Sequence, residues 1–165
     1  MLEQPPTGEA PPYLIAHDRL FDRPPFDSLL GDMTFDPRYL DPDGSKQGRV
    51  FFWLGGASTM TPFHRDLGNI YLAQIAGRKL IRMVPSRQLH LVYNEVGYHS
   101  EADLDKLDFA RFPLLKDASM VEAIIKPGDL LFIPLGWWHF VKSLDTTISV
   151  TGNNFAFPNT FAPIF

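Results

Sequence analysis

Residues 126–139 read Lys126-Pro127-Gly128-Asp129-Leu130-Leu131-Phe132-Ile133-Pro134-Leu135-Gly136-Trp137-Trp138-His139. Pro127-Gly128-Asp129 has the chemistry of a tight turn: proline presets φ, glycine accepts positive φ, and aspartate bonds to its own backbone. The apolar run 130–133 is short enough for a buried strand and too short for a helix. Pro134 to Gly136 turn the chain again, and His139 opens the next strand. Working outward from this unit, the same alternation of short β-rich runs and turn residues predicts strands at 50–54, 62–65, 69–75, 79–84, 121–125, 139–144 and 147–154. Short helices are expected near 86–91 and 101–109, with a helical turn at 26–31. Many short strands with little helix between them fit an antiparallel barrel or double-sheet jelly roll, not a βαβ fold.

Before residue 49 the text differs. Six of the 15 prolines fall in the first 25 residues, so this stretch is expected to be extended and irregular, with one strand-like segment at 13–17. The expected organisation is an N-terminal extension packing on the barrel (1–48), the jelly-roll domain (49–156) and a C-terminal tail (157–165). A chain of 165 residues, 45% apolar and 21% charged, is long enough to bury a core as one domain. The net charge of −4 argues against general phosphate-backbone binding, so nucleic acid is not the favoured partner. The absence of cysteine removes disulfides, thiolate metal sites and thiol nucleophiles together. Met1-Leu2-Glu3-Gln4-Pro5-Pro6 is neither basic nor apolar, and no apolar run reaches the roughly 20 residues that span a bilayer. A cytoplasmic protein without membrane contact is expected.

Five histidines are present: His17, His64, His90, His99 and His139. In His64-Arg65-Asp66 the first and third residues share one face of a strand, so one ion can take an imidazole and a carboxylate. The composition also yields such a pair by chance, and a second one, His99-Ser100-Glu101, lies in a polar stretch without strand pattern. Context separates them. His64 sits on the scaffold, after a Thr61-Pro62 turn and before a hairpin closed at Ala76-Gly77-Arg78. His17, His90 and His99 read as solvated. His139 is either a core histidine beside two tryptophans or an inward-facing ligand from a second strand. Two histidines and one aspartate from separate strands make a facial set with open positions, as in non-haem Fe(II) oxygenases, whereas a structural zinc site is closed by four ligands. Lys79 alternates with Ile81 and Met83. It either snorkels to water or, directed inward with Thr61 at the same end, needs an anion such as a small carboxylate.

Three segments carry a resemblance: Thr61-Pro62-Phe63-His64-Arg65-Asp66, Ala73-Gln74-Ile75-Ala76-Gly77-Arg78-Lys79, and Pro127-Gly128-Asp129 with Pro134 and Trp137-Trp138-His139. Together, and in this order, they resemble the JmjC-type, cupin-like Fe(II)/2-oxoglutarate dioxygenases, nearest to the factor-inhibiting-HIF (asparaginyl hydroxylase) branch. The spacing Gly128-(x5)-Pro134-x-Gly136-(x2)-His139 also resembles the second cupin motif. The resemblance implies an all-β double-stranded β-helix, the jelly-roll or cupin barrel, with a few short helices. It implies His64, Asp66 and His139 as iron ligands, and Lys79, Thr61 and Tyr13 at the distal carboxylate of 2-oxoglutarate. Leu72 would line the cosubstrate pocket. An asparagine at the end of the last strand would lie near the iron; Asn153 and Asn154 compete, and strand parity favours Asn153. The implied chemistry is hydroxylation of an unactivated C–H, with Fe(II), 2-oxoglutarate and O2, on a protein or peptide substrate. The alternatives are a cupin-fold metal-dependent isomerase and a small-ligand binding module. Apolar walls are expected from Trp53, Leu72, Phe132 and Val141.

Overall fold

The computed structural model describes residues 12–44, 48–94 and 97–159. The proline-rich start up to residue 11, Ser45 of the 41–45 loop and the tail beyond 159 lie outside the described residues. The eight runs become strands with ends shifted by a residue or two: β2 Val50–Gly55, β3 Met60–Arg65, β4 Ile70–Ala76, β5 Lys79–Val84, β6 Val121–Ile125, β7 Leu130–Ile133, β8 Trp138–Ser143 and β9 Thr147–Gly152. A short β1, Tyr13–Leu14, precedes them. It pairs with β2 and stops early, because the Asp18 carboxylate accepts the Ile15 N–H at 2.6 Å and starts a 3-10 turn, Ala16–Asp18. The expected 13–17 strand is thus shorter than its apolar text.

Two antiparallel sheets result, ordered β1-β2-β9-β4-β7 and β3-β8-β5-β6. The chain crosses between them at nearly every turn, which is the jelly roll, an all-β double-stranded β-helix with a few 3-10 turns. Each strand turns one set of side chains to the space between the sheets. On β5, Lys79, Ile81 and Met83 face inward, opposite Ser143, Val141 and His139 of β8. Parts of the outer faces are covered by segments outside the strands. Leu20 and Phe21 pack on Val50, Phe52 and Val150 of the larger sheet. The segment between β5 and β6 buries Val92, Leu104, Phe112 and Leu115 against Phe63, Trp138 and Phe140 of the smaller one. Each such apolar side chain removed from water stabilises the fold by about 1.5–3 kcal/mol.

That segment holds 3-10 turns at Ser86–Leu91 and Pro113–Asp117. The helix expected at 101–109 is absent. Asp103 accepts the N–H of Asp105, and Asp108 those of Ala110 and Arg111, so side chains capture the donors a helix needs.

One end of the barrel is closed. Buried polar side chains fill it: Thr59, Ser143 and Thr147 form a hydroxyl chain, and Ser149 donates to Gln74. Outside it, the β4–β5 turn crosses the β8–β9 turn. Gly77 has φ +66, and a Cβ there would lie 2.2 Å from the Thr146 carbonyl oxygen. Gly77→Ala is expected to lower stability by about 1–3 kcal/mol, since both the backbone region and the contact oppose a side chain. A urea melt followed by tryptophan fluorescence measures it. The opposite end is open.

Candidate metal centre

β3 and β8 are antiparallel neighbours, and His64 lies directly across from His139 in their register. Their rings sit with centroids 4.2 Å apart. Asp66 follows the last residue of β3. Its Oδ1 is 3.7 Å from His64 Nε2, and its Oδ2 is 3.5 Å from His139 Nε2. The three ligand atoms lie within 4.8 Å of one another.

The tautomers are set by the backbone. His64 Nδ1 lies 2.8 Å from the Pro62 carbonyl and His139 Nδ1 3.1 Å from that of Trp137. Each carbonyl can only accept, so each Nδ1 carries the proton and each Nε2 keeps its lone pair for the shared space. Burial, then the neighbouring His64, lower the pKa of His139 and keep it neutral. Two imidazole nitrogens and a carboxylate oxygen, without thiolate, suit Fe(II) or a similar divalent ion. This donor set also leaves part of the coordination sphere free.

β3 contains a bulge between Thr61 and His64, where the partner strand advances by two residues and β3 by three. Simple alternation would put these side chains on opposite faces. The extra residue, at Pro62-Phe63, turns both into the cavity, while Phe63 goes to the outer core. The cavity measures about 600 Å³ and runs from the open rim down to Lys79.

Lys79 is 2% exposed, and among the described residues no acid forms an ion pair with it. Its register partner Ser143 is four residues beyond His139 on β8, so its Cα lies about 13 Å deeper along the strand. Burial lowers its pKa to about 8. Its Nζ stands 5.9 Å from the ring centroid of Tyr13 and 6.0 Å from that of Trp53, contacts that offset only part of the lost hydration. The Tyr13 hydroxyl and Thr61 Oγ1 are 3.1 Å apart. Burial raises the Tyr13 pKa, so this hydroxyl stays protonated and able to donate. An ammonium and two hydroxyls therefore meet at the cavity floor with no protein anion between them.

Leu72 is buried and lines the cavity, as do Trp53 and Val141. Trp53 is held by its Nε1–H, which donates to Thr151 Oγ1 at 2.8 Å. Phe132, expected in this wall, is 49% exposed on the outer face of β7 instead, because inward positions there are Leu131 and Ile133. Asn153 lines the cavity, and its Oδ1 is buried without a partner. Asn154 points elsewhere: its Oδ1 accepts from Tyr71 and its Nδ2 donates to the Asp41 carbonyl. His17 and His90 are exposed. His99 is exposed as well, yet it belongs to the site. Residues 98–100 pair with 63–65 of β3 and stack the His99 ring on His64 at 5.6 Å. Only the fold brings that polar loop back to the strand edge.

The model of the family described as cupin-like domain matches residues 2–159. The chain belongs to that family. Among curated relatives, this cupin-like domain is 34% identical over 145 residues to the lysine-specific demethylase JMJ30 of Arabidopsis thaliana, covering 86% of this chain and 33% of the relative. It is 38% identical over 103 residues to lysine-specific demethylase 8 of Xenopus tropicalis, covering 60% and 23%. It is 34% identical over 106 residues to the arginine-specific demethylase JMJ20 of Arabidopsis thaliana, covering 62% and 23%. The cupin-like chain thus spans a third or less of the length of these relatives. No helix among its described residues is long and apolar enough to cross a membrane.

Proposed function

We propose that this cupin-like domain is an Fe(II)- and 2-oxoglutarate-dependent oxygenase that hydroxylates an unactivated C–H bond of a protein side chain. The observation that carries this reading is one cavity that joins an open N,N,O donor set to a buried lysine without an acid partner. His64, Asp66 and His139 would hold the iron. Lys79 would pair with the distal carboxylate of 2-oxoglutarate, with Tyr13 and Thr61 donating to the same group. With O2, the bound pair supplies the oxidation: 2-oxoglutarate loses CO2 to become succinate as one oxygen atom enters the C–H bond.

The remaining work belongs to the chain. The Pro62 and Trp137 carbonyls keep both imidazoles oriented by holding their Nδ1 protons. An arriving carboxylate relieves the desolvation of Lys79, so the floor favours a ligand with a second carboxylate over one with a neutral tail. Leu72 and Val141 exclude water from the space between floor and metal. Asn153 Oδ1 is free to accept a hydrogen bond there.

The relatives' names put N-methyl groups of lysine and arginine among the targets to test, and the motif likeness to the factor-inhibiting-HIF branch adds asparagine. All begin with removal of hydrogen from a C–H bond, so one centre serves each. Aerobic incubation with Fe(II), 2-oxoglutarate and a peptide panel is expected to yield succinate, with a mass gain of one oxygen or loss of a methyl group on the substrate peptide. Folded protein that binds metal yet forms no succinate under any of these conditions contradicts the proposal and favours a binding module. Tyr13→Phe is expected to raise the KM for 2-oxoglutarate about two- to tenfold, with a smaller change in kcat, because one hydroxyl donor is removed from the floor. Initial rates of succinate release measure it.

A further inference from the structure

The chain has a net charge of −4, yet an arginine stands at the rim of its cavity. Among the described residues that line the cavity, Asp66 is the single carboxylate, and it belongs to the metal centre. At the mouth stand His17, His99 and Arg65. Arg65 is the permanent cation of the three. It lies between His64 and Asp66 in sequence, and its guanidinium sits at the edge of the mouth, over the Trp138 ring at 5.6 Å and near Tyr98 at 5.8 Å.

Arg19, Arg38, Arg49, Arg78, Arg82 and Arg111 each have a carboxylate within ion-pair distance; among the described residues Arg65 has none, and it is the one arginine that lines the cavity. Its Nε–H is also buried without an acceptor. Buried donors are nearly always satisfied, so this one marks a place where an acceptor is missing. The flanking rings hold the planar guanidinium in position before any partner arrives.

We infer that Arg65 receives a carboxylate of the substrate, and that the substrate of this cavity is an acidic peptide with Asp or Glu beside the side chain that enters. A cationic segment would meet Arg65 with no acid to receive it, and the Tyr98 face is already turned to that guanidinium. A nucleic acid needs a run of basic groups that tracks its phosphates, which one arginine does not supply. What happens to the entering side chain rests on the oxygenase reading; the docking contact does not.

The test is fluorescence anisotropy of the full chain, without metal, against two sets of short randomised peptides, one with fixed Glu residues and one with fixed Lys residues. The Glu set is expected to bind roughly five- to tenfold tighter, with the preference shrinking as salt is raised. Arg65→Gln is expected to remove the preference, and Arg65→Glu to turn it toward the Lys set. Circular dichroism checks that each variant folds; if Arg65→Glu does not, Arg65→Gln and the salt series still decide. Equal binding of both sets, a preference that survives Arg65→Gln, or displacement of the Glu peptides by an oligoribonucleotide overturns the assignment. Calorimetry with Mn(II) and 2-oxoglutarate on the same protein tests the oxygenase reading separately. A Glu preference without cosubstrate binding leaves Arg65 its role and removes that reading.

Discussion

Replacing His139 with alanine is expected to abolish metal-dependent succinate formation and to weaken Mn(II) or Fe(II) binding by more than about 100-fold. Loss of a partner that merely orients a metal ligand lowers affinity about 10–100-fold, and loss of one of three ligands exceeds that. The protein itself supplies a control. Metal at about 100 times its Kd stabilises the folded chain by about 2.7 kcal/mol, which appears as a metal-dependent rise in Tm. The variant is expected to show no such rise. His139 is 4% exposed, so the substitution also removes buried packing between the two sheets and lowers the metal-free Tm. The decisive quantity is therefore the difference in Tm with and without metal. A variant that keeps this difference contradicts the assignment of His139 as a ligand.

Lys79→Met is expected to do two opposite things: stabilise the protein without ligands and reduce 2-oxoglutarate affinity by 100-fold or more. Methionine preserves length and apolar stem while removing an ammonium that is buried with no anion beside it. The pKa of about 8 against an ordinary 10.5 places the gain at about 3 kcal/mol at neutral pH. The pH dependence has a definite sign. Below pH 8 lysine is protonated in both folded and unfolded chains, and the folded state bears the full desolvation penalty. Between pH 8 and 10.5 the unfolded chain holds a proton the folded chain has released, so wild-type stability rises with pH across this window. The advantage of Lys79→Met should vanish there. Binding runs the other way, since the dicarboxylate needs the ammonium and its affinity for the wild type falls as pH rises through 8. Urea melts and calorimetry at pH 7 and pH 9.5 measure both. Loss of stability at pH 7 in the variant would show that Lys79 already has an anionic partner.

The strands were legible because their signal is local. The turn chemistry of Pro127-Gly128-Asp129 and the apolar run 130–133 set β7 without reference to anything else in the chain. The alternation of Lys79, Ile81 and Met83 put a lysine on an apolar face but left open whether it snorkels to water; the fold buries it. The features that escaped depend on distant segments or on broken alternation. Strict parity separates Thr61 from His64, and only the bulge in β3 puts both in the cavity. His99 reads as loop, since nothing near it predicts that residues 98–100 return to the edge of β3. Phe132 looked like wall because an apolar run does not reveal which of its faces is inward. A short helix was expected at 101–109, while Asp103 and Asp108 decide its local backbone. Asn153 and Asn154 are neighbours of one type; parity pointed to the first, and the bond from Tyr71 engages the second.

The central claim is that His64, Asp66, His139 and Lys79 together hold Fe(II) and 2-oxoglutarate at a single centre. Anaerobic absorbance titration addresses it most directly, because a visible charge-transfer band arises only when the oxo-acid chelates the ferrous ion. The account predicts a band that requires both components, is lost in His64→Ala, and needs far more 2-oxoglutarate to saturate in Lys79→Met. Folded wild-type protein that gives no band at saturating Fe(II) and 2-oxoglutarate, or a band that persists unchanged in His64→Ala, would contradict it.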